Sequence, residues 1–173
     1  MKKILFSLVA MMAVMTVQAQ SICATWRSMQ PVVETEDDGT FTAQNFTYTF
    51  YNDGTYSYVD ELTLSTQPAQ TMALEIATTV ELKGKYTLEG DKLTMTPDME
   101  TYKTELLNIS VNGHVADDPM IKANINGMIN SPDFKLQFAQ TDIETVKVTD
   151  TMLEMNDGEQ TLTFVRFATI KEN

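Results

Sequence analysis

Apolar and polar side chains alternate along most of this chain. In FTYTFYNDGTYSYV, Phe46, Tyr48 and Phe50 alternate with threonines, Asn52-Asp53-Gly54 interrupts, and Tyr56 and Tyr58 alternate with Thr55 and Ser57. A period of two on both sides of an Asp-Gly signal predicts a β-hairpin, because successive strand residues point to opposite faces. The turn signal recurs in EDDGTF at 36–41, joining the first strand to the second, in KYTLEGDKLTMTP at Glu89-Gly90-Asp91, and in MLEMNDGEQTLTFVRF at Asn156-Asp157-Gly158. The longest regular run extends from Met72 to Leu88, with apolar residues at the even positions except Thr78 and Gly84. Such a strand far exceeds the usual ~5–6 residues. It either bends at Gly84 within a closed sheet or divides near Thr78-Thr79. Further strands are predicted at 101–111, 134–139, 143–149 and 151–156, and a slip of the apolar phase near Leu106-Leu107 predicts a β-bulge.

One segment breaks the β pattern. DDPMIKANINGMINSP places Ile121, Ile125, Met128 and Ile129 at helical spacing, with Asp118 as N-cap and Pro119 at the first helical position. Ser131-Pro132 reads as its end. The expected product is one short helix over 118–130, interrupting the strands and lying across one end of the sheet.

Eight or more strands in sequential hairpins can hide their edges by stacking as a sandwich or by closing on themselves. Short turns between neighbours favour closure. A Greek-key sandwich needs long crossovers, and only 112–133 is long enough to be one. The expected fold is therefore all-β, an up-and-down antiparallel β-barrel of about eight to ten strands. If the first and last strands pair to close it, the lone tryptophan, Trp26 in SICATWRSMQ, meets Arg166 in TLTFVRF. A guanidinium over an indole is worth ~0.5–2 kcal/mol. This pair is the candidate structural closure of the barrel.

These residues also resemble a known family. Ala24-Thr25-Trp26 near the start and Arg166 on the last strand are similar to the Gly-x-Trp and C-terminal arginine of the lipocalins. YTFYNDGTYSY, GKYTLEGDKLTMTP and LTFVRF resemble the lipocalin-like domains of secreted Bacteroidetes proteins. The resemblance spans roughly residues 22–167. Ala24 stands where the family has glycine, and 112–133 departs from the family pattern. The resemblance implies a calycin-like barrel of eight to ten strands and, for many members, a small apolar ligand inside it.

The ends of the chain add a location. MKKILFSLVAMMAVMTVQAQ has a basic start, an apolar run from Ile4 to Val17 and a small-x-small site at Val17-Gln18-Ala19, the marks of a signal peptide over 1–19. The run is short for a spanning helix, which needs ~20 apolar residues. Ile22 directly before Cys23 is wrong for a lipobox, so lipidation is not expected. Residues 20–173 then form a single exported domain, periplasmic or extracellular, with no transmembrane segment. The formal net charge of −12 becomes more negative by two once Lys2 and Lys3 leave, which disfavours nucleic acid and anionic lipid as partners. A single cysteine, Cys23, rules out an internal disulfide.

Catalytic and metal motifs are missing. The only histidine, His114, sits in VNGHVADD, and no Gly-x-Ser-x-Gly or phosphate-cradling loop is present. ETEDDG at 34–39 clusters carboxylates without the ligand spacing of an EF-hand, so no metal or other cofactor is expected. The chain reads as a non-enzyme. What remains is the barrel interior, for which the apolar faces offer Phe50, Tyr56, Tyr58, Leu62, Leu64, Leu74, Ile76, Val80, Leu82, Phe134, Leu136, Phe138 and Phe164 as candidate cavity residues. A small barrel can be filled by its own side chains or hold one small ligand. Two functions follow: non-covalent binding of a small, largely apolar molecule in the barrel, or a cell-envelope structural or interaction protein with a filled barrel, whose protein partner the sequence does not name.

Overall fold

The computed structural model describes residues 22–36, 39–69 and 72–168. The segment read as a signal peptide and the tip of the 36–41 turn lie outside them. Ten strands follow in chain order: β1 (Thr25–Ser28), β2 (Val32–Glu36), β3 (Gly39–Phe50), β4 (Thr55–Ala69), β5 (Met72–Glu89), β6 (Lys92–Val111), β7 (His114–Val115), β8 (Asp142–Val148), β9 (Met152–Asn156) and β10 (Thr161–Ala168). Two helices, α1 (Pro119–Ile129) and α2 (Pro132–Leu136), stand between β7 and β8. The strands form one antiparallel sheet in the order β1-β10-β9-β8-β6-β5-β4-β3-β2, and β1 also pairs with β3. That last pairing closes the sheet into a ring. Apart from β6 and β8, between which β7 and the two helices intervene, and the closing β1–β3 pair, neighbours in the ring are consecutive in sequence, which is the up-and-down arrangement expected from the short turns.

The turns behave as their residues dictate. Gly90-Asp91 joins β5 to β6 with Gly90 at φ 68°, and Gly54 adopts φ 80° between β3 and β4. Only a residue without Cβ takes these left-handed angles at no cost. Asp53 supports the second turn by accepting from the Thr55 amide (3.0 Å) and the Thr55 hydroxyl (2.6 Å). β1 and β2 run along the same side of β3, Thr25–Arg27 opposite Thr49–Thr47 and Val32–Glu36 opposite Ala43–Gly39. They are two pieces of one first strand, interrupted before β2 at Pro31, which has no amide hydrogen to give a ladder.

β5 is continuous from Met72 to Glu89, without the break considered at Thr78-Thr79. Thr78 faces the core and is buried, but its hydroxyl donates to the Glu105 carbonyl at 2.9 Å, so the polar exception in the apolar run is satisfied. Gly84 is needed for close approach. A Cβ there would meet the Tyr56 ring at 2.5 Å and would also collide with the Thr96 carbonyl. The predicted bulge at Leu106-Leu107 is present, since Ala77 pairs with Asn108 and Thr78 with Leu106, leaving Leu107 over. The strand expected at 101–111 is the second half of β6, which starts at Lys92.

Two expectations need correction. There are two helices among the described residues, not one, and the strand predicted at 134–139 is α2 and the turn after it. Ser131-Pro132 does not simply end α1. Ser131 caps α2, accepting from the Phe134 amide at 3.2 Å, with Pro132 at the first helical position. This repeats the chemistry of Asp118-Pro119, where Asp118 accepts from the Met120 (2.8 Å) and Ile121 (3.2 Å) amides. The alternation Phe134-Leu136-Phe138 is too short to distinguish a strand from one helical turn.

Two cores result. The first fills the ring, where Trp26, Phe46, Phe50, Tyr56, Tyr86, Leu93, Met95, Val146, Leu153, Met155 and Phe164 are buried together. The second lies where the long strands β4–β6 outrun the ring. There the helical segment covers the sheet, with Ile129 and Phe134 on Leu62, Val80, Leu82 and Tyr102. The Tyr102 hydroxyl donates to the Ile129 carbonyl at 3.1 Å and ties α1 to β6.

Candidate functional site

The ring interior is solid with aromatic side chains. Phe50 meets Tyr86 edge-on at 5.0 Å between centroids, Phe46 meets Phe164 at 5.4 Å, and Tyr48 lies 4.9 Å from Tyr58 and 5.9 Å from Phe50. Trp26 is fully buried, and its indole N–H donates to the Ile22 carbonyl at 2.7 Å. Trp26 and Arg166 are direct partners in the β1–β10 register, with the guanidinium carbon 4.8 Å from the ring. The pair sits on the seam where the last strand meets the first.

The candidate cavity residues divide among distinct places. Phe50, Tyr56 and Phe164 pack within the ring. Leu62, Val80, Leu82 and Phe134 form the helix-covered core, with Phe138 packed against it. Leu64 and Ile76, with Leu62 and Phe134, line a cavity of about 10 Å³ between sheet and helices, room for about one water at most. Leu74 lies on a wide groove at the far end of the long strands, among Thr35, Ser65 and Glu75. Leu136 is 62% exposed on α2 and lines no interior, because the helix that carries it turns Phe134 inward instead. Tyr58 stands between the two cores and packs against both.

Beside Tyr58 is the feature that the candidate residues did not include. Asp60 is 1% exposed on the inward face of β4, between Tyr58 and Leu62. Its position follows from a bulge in β3. Gln44 pairs with Glu61 and Thr47 with Val59, so Asn45 and Phe46 together face Asp60. Asn45 takes a left-handed φ of 59° to allow this. The bulge shifts the inward phase from Phe41 and Ala43 to Phe46, Tyr48 and Phe50, and it interrupts the ladder opposite Asp60. The Tyr58 hydroxyl donates to Asp60 Oδ2 at 2.6 Å, and the backbone amides of Gln44 and Glu61 favour the charged form. No donor within hydrogen-bonding geometry reaches Oδ1. Burial outweighs these partners and pushes the carboxyl up to about 6.

Other acids gather at the same level. On β8, Asp142 and Glu144 share the phase of buried Val146. Burial raises both, Glu144 to about 7 with added repulsion from Asp157 and Asp142. Burial first, and then Asp142, Tyr56, Glu144 and Asp60, raise Tyr48 well above the usual phenol range. Above this acidic layer a pocket of about 180 Å³ opens between the β2–β4 sheet and the turn after α2, lined by Val32, Glu34, Phe41, Ala43, Tyr58, Asp60, Leu62, Gln137 and Phe138. Of the candidate residues, the structure brings Tyr58, Leu62 and Phe138 together here. Asp60 was legible as the single charge in the even-numbered run Tyr56-Tyr58-Asp60-Leu62-Leu64. Val32, Phe41 and Gln137 carried no comparable signal, since only the packing of β2 and α2 brings them to the same place.

His114 lies on exposed β7, and Cys23 Sγ contacts the Tyr86 hydroxyl at 3.3 Å. Among the described residues no three acidic, histidine or cysteine side chains converge as metal ligands would, and no helix is long and apolar enough to cross a membrane. No protein-family model and no curated protein matches the chain. Among solved structures, the chain is similar to an uncharacterized protein from Bacteroides eggerthii, at 13% identity over 84% of this chain and 99% of that chain, with a TM-score of 0.42.

Proposed function

We propose that this is an exported, non-catalytic, lipocalin-like binding protein that holds a small molecule at the mouth of its barrel rather than along its axis. The observation that carries this reading is the pocket over Tyr58 and Asp60. The ring below it is filled by Trp26, Phe50, Tyr48 and Phe164, whereas the mouth combines apolar walls with a buried polar floor. That combination is usual for ligand sites, in which a few polar groups orient a largely apolar body. The volume of about 180 Å³ suits a ligand smaller than the drug-sized molecules that fill ~300 Å³ or more.

Native mass spectrometry and thermal unfolding of the purified chain in small-molecule extracts of a bacterial culture test the reading. A ligand at a hundredfold excess over its Kd stabilises the folded state by about 2.7 kcal/mol, a rise of several degrees in Tm. Leu62→Trp, which fills the pocket, is expected to abolish both the adduct and the rise. No adduct and no rise across the extracts would refute the reading and favour the second function. In that case the filled barrel acts as an interaction protein, through exposed apolar residues such as Val115, Met120 and Leu136.

A further inference from the structure

We infer that the mouth pocket takes a compact organic cation, a primary or secondary amine on a small apolar or aromatic body, with its ammonium group directed at the Asp60 carboxyl. The inference rests on the binding reading above and adds the chemical class of the ligand. A buried carboxylate oxygen without a donor is costly, because it has lost water and gained no hydrogen bond in exchange. Asp60 comes close to that state: Tyr58 holds Oδ2 at 2.6 Å and the amides of Gln44 and Glu61 favour the charge, but no donor meets hydrogen-bonding geometry at the buried Oδ1. A neutral donor could supply the hydrogen bond but not the charge, and an anion would be repelled. An ammonium group supplies the missing N–H together with a compensating charge.

The walls fit the same class. The aromatic residues Phe41, Tyr58 and Phe138 line the pocket together with apolar Val32, Ala43 and Leu62. Aromatic faces attract a cation and accept an apolar body equally well. The ionisable groups that line the pocket or act on Tyr48 and Asp60 are acidic or phenolic: Glu34 on β2, Tyr48 on β3, Tyr58 and Glu61 on β4, and Asp142 and Glu144 on β8, while the cation of the roof, Lys135, stands over the Tyr102 ring. An organic cation is favoured over a metal ion, since Asp60 stands without the two further acidic, histidine or cysteine ligands that a metal would require among the described residues.

Isothermal titration and amide chemical-shift mapping with benzylamine, benzyl alcohol and benzoate test the inference, because the three share a body and differ in charge. Benzylamine is expected to bind with shifts at Leu62, Gln137 and Phe138, and benzyl alcohol about tenfold or more weakly, the ratio that one charge-assisted hydrogen bond supplies. Benzoate is expected not to bind. Asp60→Asn should bring benzylamine down to the affinity of the alcohol and leave the alcohol unchanged. Equal binding of amine and alcohol at these residues, or an amine preference that survives Asp60→Asn, overturns the ligand class while the pocket reading stands. No shifts in the pocket with any of the three probes at millimolar concentration overturns the inference, and the extract experiment then decides the pocket reading separately. The amine–alcohol comparison needs no variant, so it holds even if Asp60→Asn does not fold.

Discussion

Asp60 is buried on the inward face of β4 with Tyr58 donating to one of its oxygens. Its carboxyl titrates at about 6 in the fold, against ~3.9 in an unfolded chain. The folded state therefore binds more protons than the unfolded state between those values, and stability rises as pH falls through 6 toward 4. The penalty is fully present above the folded pKa and absent below the unfolded one. Asp60→Asn removes the ionisation, so the variant is expected to be more stable than the parent at pH 7.5 by about 1–3 kcal/mol, with the difference vanishing near pH 4. Urea unfolding of the two proteins across that range checks it. Glu144 and Asp142 shift in the same direction, so the difference between parent and variant, not the pH trend of either, isolates Asp60. A variant no more stable than its parent at any pH would mean that Tyr58 and the amides of Gln44 and Glu61 already solvate the charge. The inward phase of Asp60 was visible in the sequence. Its burial was not, because that depends on the β3 bulge and on α2 roofing the strand.

Among the elements, the strands were the easiest to read and the helices the hardest. The hairpins around Asp53-Gly54 and Gly90-Asp91 and the extra residue at Leu107 stand where alternation and turn chemistry placed them. α2 was missed because Ser131-Pro132 serves as a stop for one helix and a start for the next. Alternation over Phe134-Leu136-Phe138 then suggested a strand. A Pro after a Ser, Thr, Asp or Asn signals a helix start as well as a helix end, and only the tertiary contacts of Phe134 with Leu62 and Phe41 decide which applies. The two caps make a paired prediction. Asp118→Ala and Ser131→Ala are each expected to cost about 1 kcal/mol in denaturant unfolding, with Ser131→Asn nearly neutral, because Asn offers the same side-chain oxygen to the Phe134 amide. Loss of protection from hydrogen exchange at 132–138 in Ser131→Ala, with the ring amides unchanged, would locate the effect in the roof of the pocket. A uniform loss across the sheet would contradict the separation into two cores.

At the scale of the whole molecule the decisive event is closure. The ring exists because β1 is shared between β3 and β10, and at that seam Trp26 stands opposite Arg166. Trp26→Ala empties a fully buried site and is expected to cost about 3–5 kcal/mol. Arg166→Ala should cost less, and the double variant should fall short of the sum by about 0.5–2 kcal/mol, the part that belongs to the stacked pair. Equilibrium unfolding of the four proteins measures it, with Trp26→Leu replacing Trp26→Ala if the latter does not fold. Strict additivity would mean that the guanidinium and the indole contribute independently and that the seam is held by its backbone ladder alone.

The sequence by itself determined the class of fold, the direction of each hairpin and the alternation of faces along the strands, because alternation and turn residues are local and each strand states its own phase. It could not determine how full the barrel is. Cavity volume is a small difference between large packed volumes, and that difference depends on the bulges at Asn45 and Leu107, on the overhang of β4–β6 beyond the ring, and on the helices that roof it. These features bring together residues far apart in the chain, from Val32 to Phe138, and so only the tertiary structure placed a buried, half-partnered carboxylate on the floor of a pocket.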